Sequence, residues 1–157
     1  NELWNYQQVR LGYNYRMTDI AASLGLSQME RLTKIINQRH RIANQYNQAL
    51  SSLPLQIPWQ HQDSFSSYHL YIIRLKLDQI NKTHPQIHDE ICDLGVLVNL
   101  HYIPVYRQPF YEQMGFQKGY CPESEAYHQE ALSIPMYPTL TDIEQQMVIK
   151  TLKKVIV

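Results

Sequence analysis

An α+β fold, with helices over one small and mostly antiparallel sheet, is predicted by three features of the 157-residue sequence. Residues 68–75, Tyr-His-Leu-Tyr-Ile-Ile-Arg-Leu, are apolar on both faces and rich in aromatic and β-branched side chains, as in a strand covered on both sides. Apolar residues recur at helical spacing from Ile20 to Leu50. The segments then follow in the order helix, strand, strand, helix, strand, helix, helix, which makes a layer of helices over a sheet.

Each element has a local reason. Val9, Leu11 and Tyr13 alternate in an extended lead-in that turns at Gly12. Thr18 and Asp19 supply an N-cap and a first-turn carboxylate for a long helix over residues 19–52. Its apolar face is Ile20, Leu24, Met29, Leu32, Ile36, Ala43, Tyr46 and Leu50, with a bend expected near Gly25 and a stop at Pro54. Residues 55–59 make a short strand that Pro58 confines to an edge, and residues 68–75 make the central one. Thr83 and Pro85 open a helix with Ile87, Ile91 and Leu94 on one face, and Gly95 stands just past its C-cap. Residues 96–102 are the next strand. From Ile103 to Cys121, aromatics mixed with Pro104, Pro109, Gly115 and Gly119 indicate a structured surface loop. Pro122 and Glu123 open a short helix ending near Ala131, and Thr141-Asp142-Ile143-Glu144 is a capping box. The last helix is expected to bury Ile143, Met147, Leu152 and Ile156.

Composition excludes several classes of function. Fourteen Lys and Arg balance fourteen Asp and Glu, so no bulk field draws the chain to nucleic acid or an anionic membrane. No apolar run approaches the roughly 20 residues of a membrane span. The start, Asn1-Glu2-Leu3-Trp4, has neither an initiator Met nor a signal-peptide layout, so a cytoplasmic chain beginning inside a longer protein is expected. Cys92 and Cys121 lie far apart without a CxxC, the pattern of idle thiols in a reducing compartment rather than of a disulfide or metal site.

No complete active site stands out. The five glycines form neither GxGxxG nor a phosphate loop, and neither GxSxG nor HExxH occurs. His84 and His88 are four apart, but Pro85 pushes His84 out of helical geometry, so no metal is expected there. Two clusters are richer. Gly12-Tyr13-Asn14-Tyr15-Arg16 places an amide and a guanidinium before a helix N-terminus, which suits an anion. The same residues are also consistent with core tyrosines, a turn at Asn14 and a solvated Arg16. Asn99-Leu100-His101-Tyr102-Ile103-Pro104-Val105-Tyr106 delivers polar groups from a strand end into a proline-rich loop. His101 there is either a ligand contact or a core histidine bonded to backbone. Arg31, Lys34, Arg39, His40 and Arg41 read as the wet side of the long helix.

At these clusters the chain resembles a known family. Residues 11–28 and 38–46, then Tyr68-His-Leu-Tyr71, Asn99 to Val105, Gln108-Pro-Phe-Tyr111 and Leu132-Ser-Ile-Pro-Met-Tyr-Pro138, match in order the C-terminal part of the DegT-type sugar-nucleotide aminotransferases. The resemblance implies the C-terminal small domain of the aspartate-aminotransferase fold (pyridoxal-phosphate fold type I), at residues 19–157, with residues 1–18 leading in from a large domain. It implies pyridoxal 5′-phosphate as cofactor, a nucleotide sugar and glutamate as substrates, and a homodimer. The His-Tyr-Ile-Pro-Val and Gln-Pro-Phe-Tyr segments most resemble the members of pseudaminic acid biosynthesis, which move an amino group from glutamate to C4 of a UDP-linked 4-keto-6-deoxy-N-acetylhexosamine. A dehydratase of the same family and a non-catalytic interaction module are the alternatives.

The resemblance also assigns residues. Asn14 would reach the cofactor phosphate of the other subunit with Arg16 beside it, and His101, Tyr15 and Tyr102 would lie near the nucleotide sugar. The cofactor's lysine belongs to the large domain in this family, and none of Lys34, Lys76, Lys82, Lys118, Lys150, Lys153 or Lys154 has the matching context. The chain is therefore expected to be inactive by itself. Tyr106 stands where a histidine is common in the family, and Leu97 and Leu100 replace smaller or β-branched residues.

Overall fold

The computed structural model describes residues 9–13 and 15–157. The chain forms two compact units, Asn1–Thr33 and Lys34–Val157, with the division inside one helix. No helix among the described residues is long and apolar enough to cross a membrane.

In the first unit the lead-in reaches Thr18, whose hydroxyl accepts from the Ala21 N–H at 3.3 Å and whose carbonyl accepts from Ala22. These bonds start helix α1, Asp19–Leu50. The stripe Ile20, Leu24, Met29 and Leu32, expected to face a core, is exposed. Helical periodicity produces the stripe, but only packing buries it, and none of the described residues of the first unit covers it.

The second unit contains the end of α1, strand β1 (Leu55–Gln56), strand β2 (Tyr71–Leu75), helix α2 (His84–Asp93) and strand β3 (Asn99–Leu100). A four-residue helix α3 (Pro109–Glu112), helix α4 (Pro122–Glu130), strand β4 (Ala131–Ile134) and helix α5 (Asp142–Ile156) complete it. The sheet runs β1-β2-β4-β3 with every neighbour antiparallel. Strand β4 is the main departure from expectation. It follows α4 without a turn, so nothing punctuates the sequence between Glu130 and Ala131. It sits between β2 and β3 with Tyr71 opposite Ile134, Ile73 opposite Leu132 and Asn99 opposite Ser133. The strand expected over residues 96–102 shrinks to Asn99–Leu100 at the edge, and that over 55–59 to Leu55–Gln56.

Strand β2 begins at Tyr71 rather than Tyr68 because Tyr68 takes a left-handed backbone, φ 46°. Arg39 secures that turn. One of its guanidinium nitrogens, Nη1, donates to the carbonyls of Tyr68 (2.7 Å), His69 (3.0 Å) and Met136 (3.1 Å). Neighbouring His40 donates Nε2–H to the Ser66 carbonyl at 2.8 Å and stacks on Phe65, while Arg41 pairs with Asp142 at 2.6 Å. Arg39, His40 and Arg41 are therefore tertiary clasps rather than part of a solvated face, whereas Arg31 and Lys34 are exposed as expected.

Alternation along β2 and β4 sends Tyr71, Ile73, Leu75, Leu132 and Ile134 to one face, where they join Ile42, Tyr46 and Leu50 of α1, Ile87 and Ile91 of α2, and Val148, Leu152 and Val155 of α5. Helix α2 ends as expected: Gly95, at φ 83°, donates to the Cys92 carbonyl and Val96 to Ile91, closing a Schellman motif. Helix α5 has its capping box at Thr141 and Glu144, but its buried arc is rotated from the expected one. Leu152 and Ile156 are in the core, whereas Ile143 is 84% exposed and Met147 is partly exposed, and Gln145 is buried instead.

Candidate functional site

The other face of the sheet is polar, and α4 lies against it. Arg74 of β2 grips Glu130 Oε2 with Nη2 at 2.8 Å and Nε at 3.1 Å, and its guanidinium lies over the Tyr127 ring. Alternation from Arg74 through the register puts Ala131 and Ser133 on this face, and His101, one residue past β3, joins them.

His101 is fixed at two points. Its Nε2 lies 2.6 Å from Ser133 Oγ, and its carbonyl accepts a 2.6 Å hydrogen bond from His128 Nδ1 on α4. Tyr127 and Tyr102 flank the imidazole edge-on. Partial burial pushes the His101 pKa below the ordinary histidine range, so the ring is neutral at neutral pH. Its Nδ1 has no partner among the described residues. The imidazole is thus bonded to a side-chain hydroxyl and not to backbone. Tyr102, beside it, is 81% exposed.

The loop that follows is locked by Glu125 of α4. Its Oε1 accepts from the Tyr106 hydroxyl at 2.6 Å and from the Gly119 N–H at 2.8 Å, and these bonds hold the carboxyl below its usual range. Arg107 pairs with Glu112 at 2.8 Å. Between this loop and α4 lies a cleft of about 320 Å³ lined by Ile103, Pro104, Arg107, Lys118, Glu125 and His128.

In the first unit, Tyr13 and Tyr15 stack at 5.3 Å and are 85% and 89% exposed, so they are not core residues. Arg16 is exposed beside them. Asn14 lies outside the described residues. The structure thus pairs His101 with Tyr102 and Tyr15 with Tyr13. His84 and His88 make separate bonds, to the Ala131 carbonyl and to Asp89. Ser133, Tyr127 and His128 were not singled out from sequence. The one signal was a serine inside the apolar run of residues 131–134.

Comparison with known proteins gives a consistent result. The model of the DegT/DnrJ/EryC1/StrS aminotransferase family matches residues 1–153. The spore coat polysaccharide biosynthesis protein SpsC of Bacillus subtilis is 30% identical over 159 residues, which cover 99% of this chain and 41% of SpsC. Spr1654 of Streptococcus pneumoniae, a sugar aminotransferase by assignment, is 30% identical in its PMP form, with TM-score 0.84 over 97% of this chain and 38% of that one. The same protein has been solved in a PLP form. Helicobacter pylori PseC, an aminotransferase involved in pseudaminic acid biosynthesis, shares the fold at TM-score 0.86 and 22% identity over 99% of this chain and 42% of its own. The chain spans about 40% of the length of the curated relatives it matches.

Proposed function

The chain belongs to the DegT/DnrJ/EryC1/StrS aminotransferase family, and on that premise we propose that it is the small domain, residues 19–157 with a lead-in at 1–18, of a pyridoxal-phosphate-dependent sugar-nucleotide aminotransferase. The full-length enzyme is a cytoplasmic homodimer that transfers an amino group from glutamate to C4 of a UDP-linked 4-keto-6-deoxy-N-acetylhexosamine. The observation that carries this reading is the placement of the His101-Tyr-Ile-Pro-Val105 segment: the motif that most resembles the pseudaminic acid enzymes ends β3 with an imidazole nitrogen open. The exposed stripe from Val9 to Met29 supports burial against a large domain and a second subunit.

The residues present fit a share of the cofactor's site. Arg16 is an exposed planar cation beside the foot of α1, suited to a bidentate phosphate contact, and Asn14 would add an amide donor. Lys82, by contrast, is bound by Glu90 at 2.6 Å and by the Val155 carbonyl, and does not serve the cofactor. When bound, pyridoxal phosphate would supply an electron-withdrawing ring that stabilises the negative charge developed during amino transfer. Arg16 and Asn14 would hold its phosphate. His101 would hydrogen-bond the hexose and fix its orientation, with the exposed ring of Tyr102 beside it; Tyr15, in the first unit, offers an exposed ring of its own for sugar surface. The loop locked by Glu125 keeps the strand end in one conformation.

The test is His101→Ala in the full-length enzyme. The KM for the keto sugar should rise while the KM for glutamate and the melting temperature stay close to wild type. A fall in melting temperature with both constants unchanged would return His101 to a purely structural role and contradict the assignment.

A further inference from the structure

Ser133 is the residue of β4 that hydrophobic packing does not explain. Its neighbours Ala131, Leu132 and Ile134 are apolar and buried, and Ser133 itself is only 6% exposed. A buried hydroxyl costs stability unless it is bonded. Its one side-chain partner among the described residues is His101 Nε2, at 2.6 Å. The strand that carries it is paired on both sides, with β2 and with β3, so the hydroxyl is held in place by the centre of the sheet.

The imidazole is constrained from the backbone as well. A carbonyl only accepts, so the 2.6 Å contact from His128 Nδ1 to the His101 carbonyl fixes His128 as a donor there. With its backbone tied to α4 and its Nε2 tied to β4, the His101 ring has a single nitrogen left to meet a ligand. We propose that Ser133 is a positioning residue: its hydroxyl donates to His101 Nε2, which leaves the ring proton on Nδ1 and presents an N–H donor to an oxygen of the nucleotide sugar. The proposal rests on the reading of His101 as the sugar contact. No other acceptor competes for the Ser133 hydroxyl among the described residues, and hydroxyl, carbonyl and phosphate oxygens of a nucleotide sugar are all acceptors for the presented proton.

The experiment uses the full-length enzyme with Ser133→Ala, Ser133→Cys, which keeps size but bonds weakly, and Ser133→Thr, which keeps the hydroxyl. Two readouts are needed: the KM for the keto sugar against that for glutamate, and the ¹⁵N shifts of His101, identified by their loss in His101→Gln. Wild type should show the Nδ1–H tautomer. Ala and Cys should mix the tautomers and raise the keto-sugar KM by roughly three- to tenfold, the effect of one ordinary hydrogen bond, with the glutamate KM unaltered. Thr should restore both readouts. Ala and Cys variants with the wild-type tautomer and wild-type KM ratio would overturn the proposal while leaving His101 as a sugar contact if His101→Ala still raises that KM. If His101→Ala leaves the keto-sugar KM unchanged, the reading of His101 fails and the proposal with it, whatever the tautomer in the Ser133 variants.

Discussion

Arg39→Met removes a clasp while keeping most of the side-chain volume. In the wild type a single nitrogen, Nη1, lies within 3.1 Å of the Tyr68, His69 and Met136 carbonyls. One such nitrogen carries two hydrogens, so two of these bonds are well directed and the third is shared. Hydrogen bonds from a charged donor contribute about 1.5–3 kcal/mol each, which partial exposure reduces to about 1–1.5 here, giving a loss of about 2–3 kcal/mol. Against this, the left-handed backbone at Tyr68, φ 46°, stores about 1 kcal/mol that the freed turn recovers. The net destabilisation is about 1–2 kcal/mol, a fall of roughly 2–8 °C in melting temperature at this chain length. Denaturant unfolding should show a lower midpoint at unchanged slope, and Arg39→Lys should fall between Met and wild type. A melting temperature within about 1 °C of wild type for Arg39→Met would refute the claim that this guanidinium holds the ends of β2 and β4 together.

Other consequences are as specific. Gln145 donates to the Ile42 carbonyl at 2.8 Å but buries Oε1 with no partner among the described residues, so Gln145→Met should be neutral or stabilising by about 1 kcal/mol, and a large loss in denaturant unfolding would contradict this. Burial pushes the pKa values of His84 and His101 down, so the unfolded chain takes up protons more readily. Their contribution is therefore complete above the unfolded value of about 6.5 and falls as pH drops below it, and His84→Gln should flatten the stability profile between about pH 6.5 and 5. An unchanged profile would mean that His84 does not titrate this way. In the full-length enzyme, borohydride reduction followed by peptide mapping should place the cofactor-bearing lysine outside residues 1–157, and a labelled Lys34 or Lys118 would contradict the domain assignment.

What could be read in the sequence was local. The helix start at Thr83, the capping box at Thr141 and the glycine after α2 involve residues within four positions of each other, and each stands in the structure as expected. Strand β4 is held by pairing with residues some 30 and 60 positions away, Asn99 and Ile72, and four residues between a helix and Pro135 carry no periodic signal of their own. Missing β4 also hid Ser133, and with it the reason His101 is held. Periodicity put Ile143 and Met147 on the inner arc of α5, but the arc that packs is the one that docks against α1 and α2, and no residue within α5 encodes that rotation. Tyr68 looked like strand because its ring is apolar and buried, whereas its backbone conformation is imposed by Arg39, 29 residues earlier. His101 and Tyr102 were legible as a candidate site because polar residues leaving a strand into a proline-rich loop have few purely structural uses.

The most direct test of the central claim is to follow the amino nitrogen. The full-length enzyme, loaded with pyridoxal phosphate, is given ¹⁵N-glutamate and a UDP-linked 4-keto-6-deoxy-N-acetylhexosamine, and the product is read by mass spectrometry and NMR. An aminotransferase of this kind should yield one ¹⁵N atom bonded at C4 of the sugar and an equivalent of 2-oxoglutarate. A product that has lost water without gaining label, or a keto sugar left unchanged while glutamate is consumed by another acceptor, would contradict it.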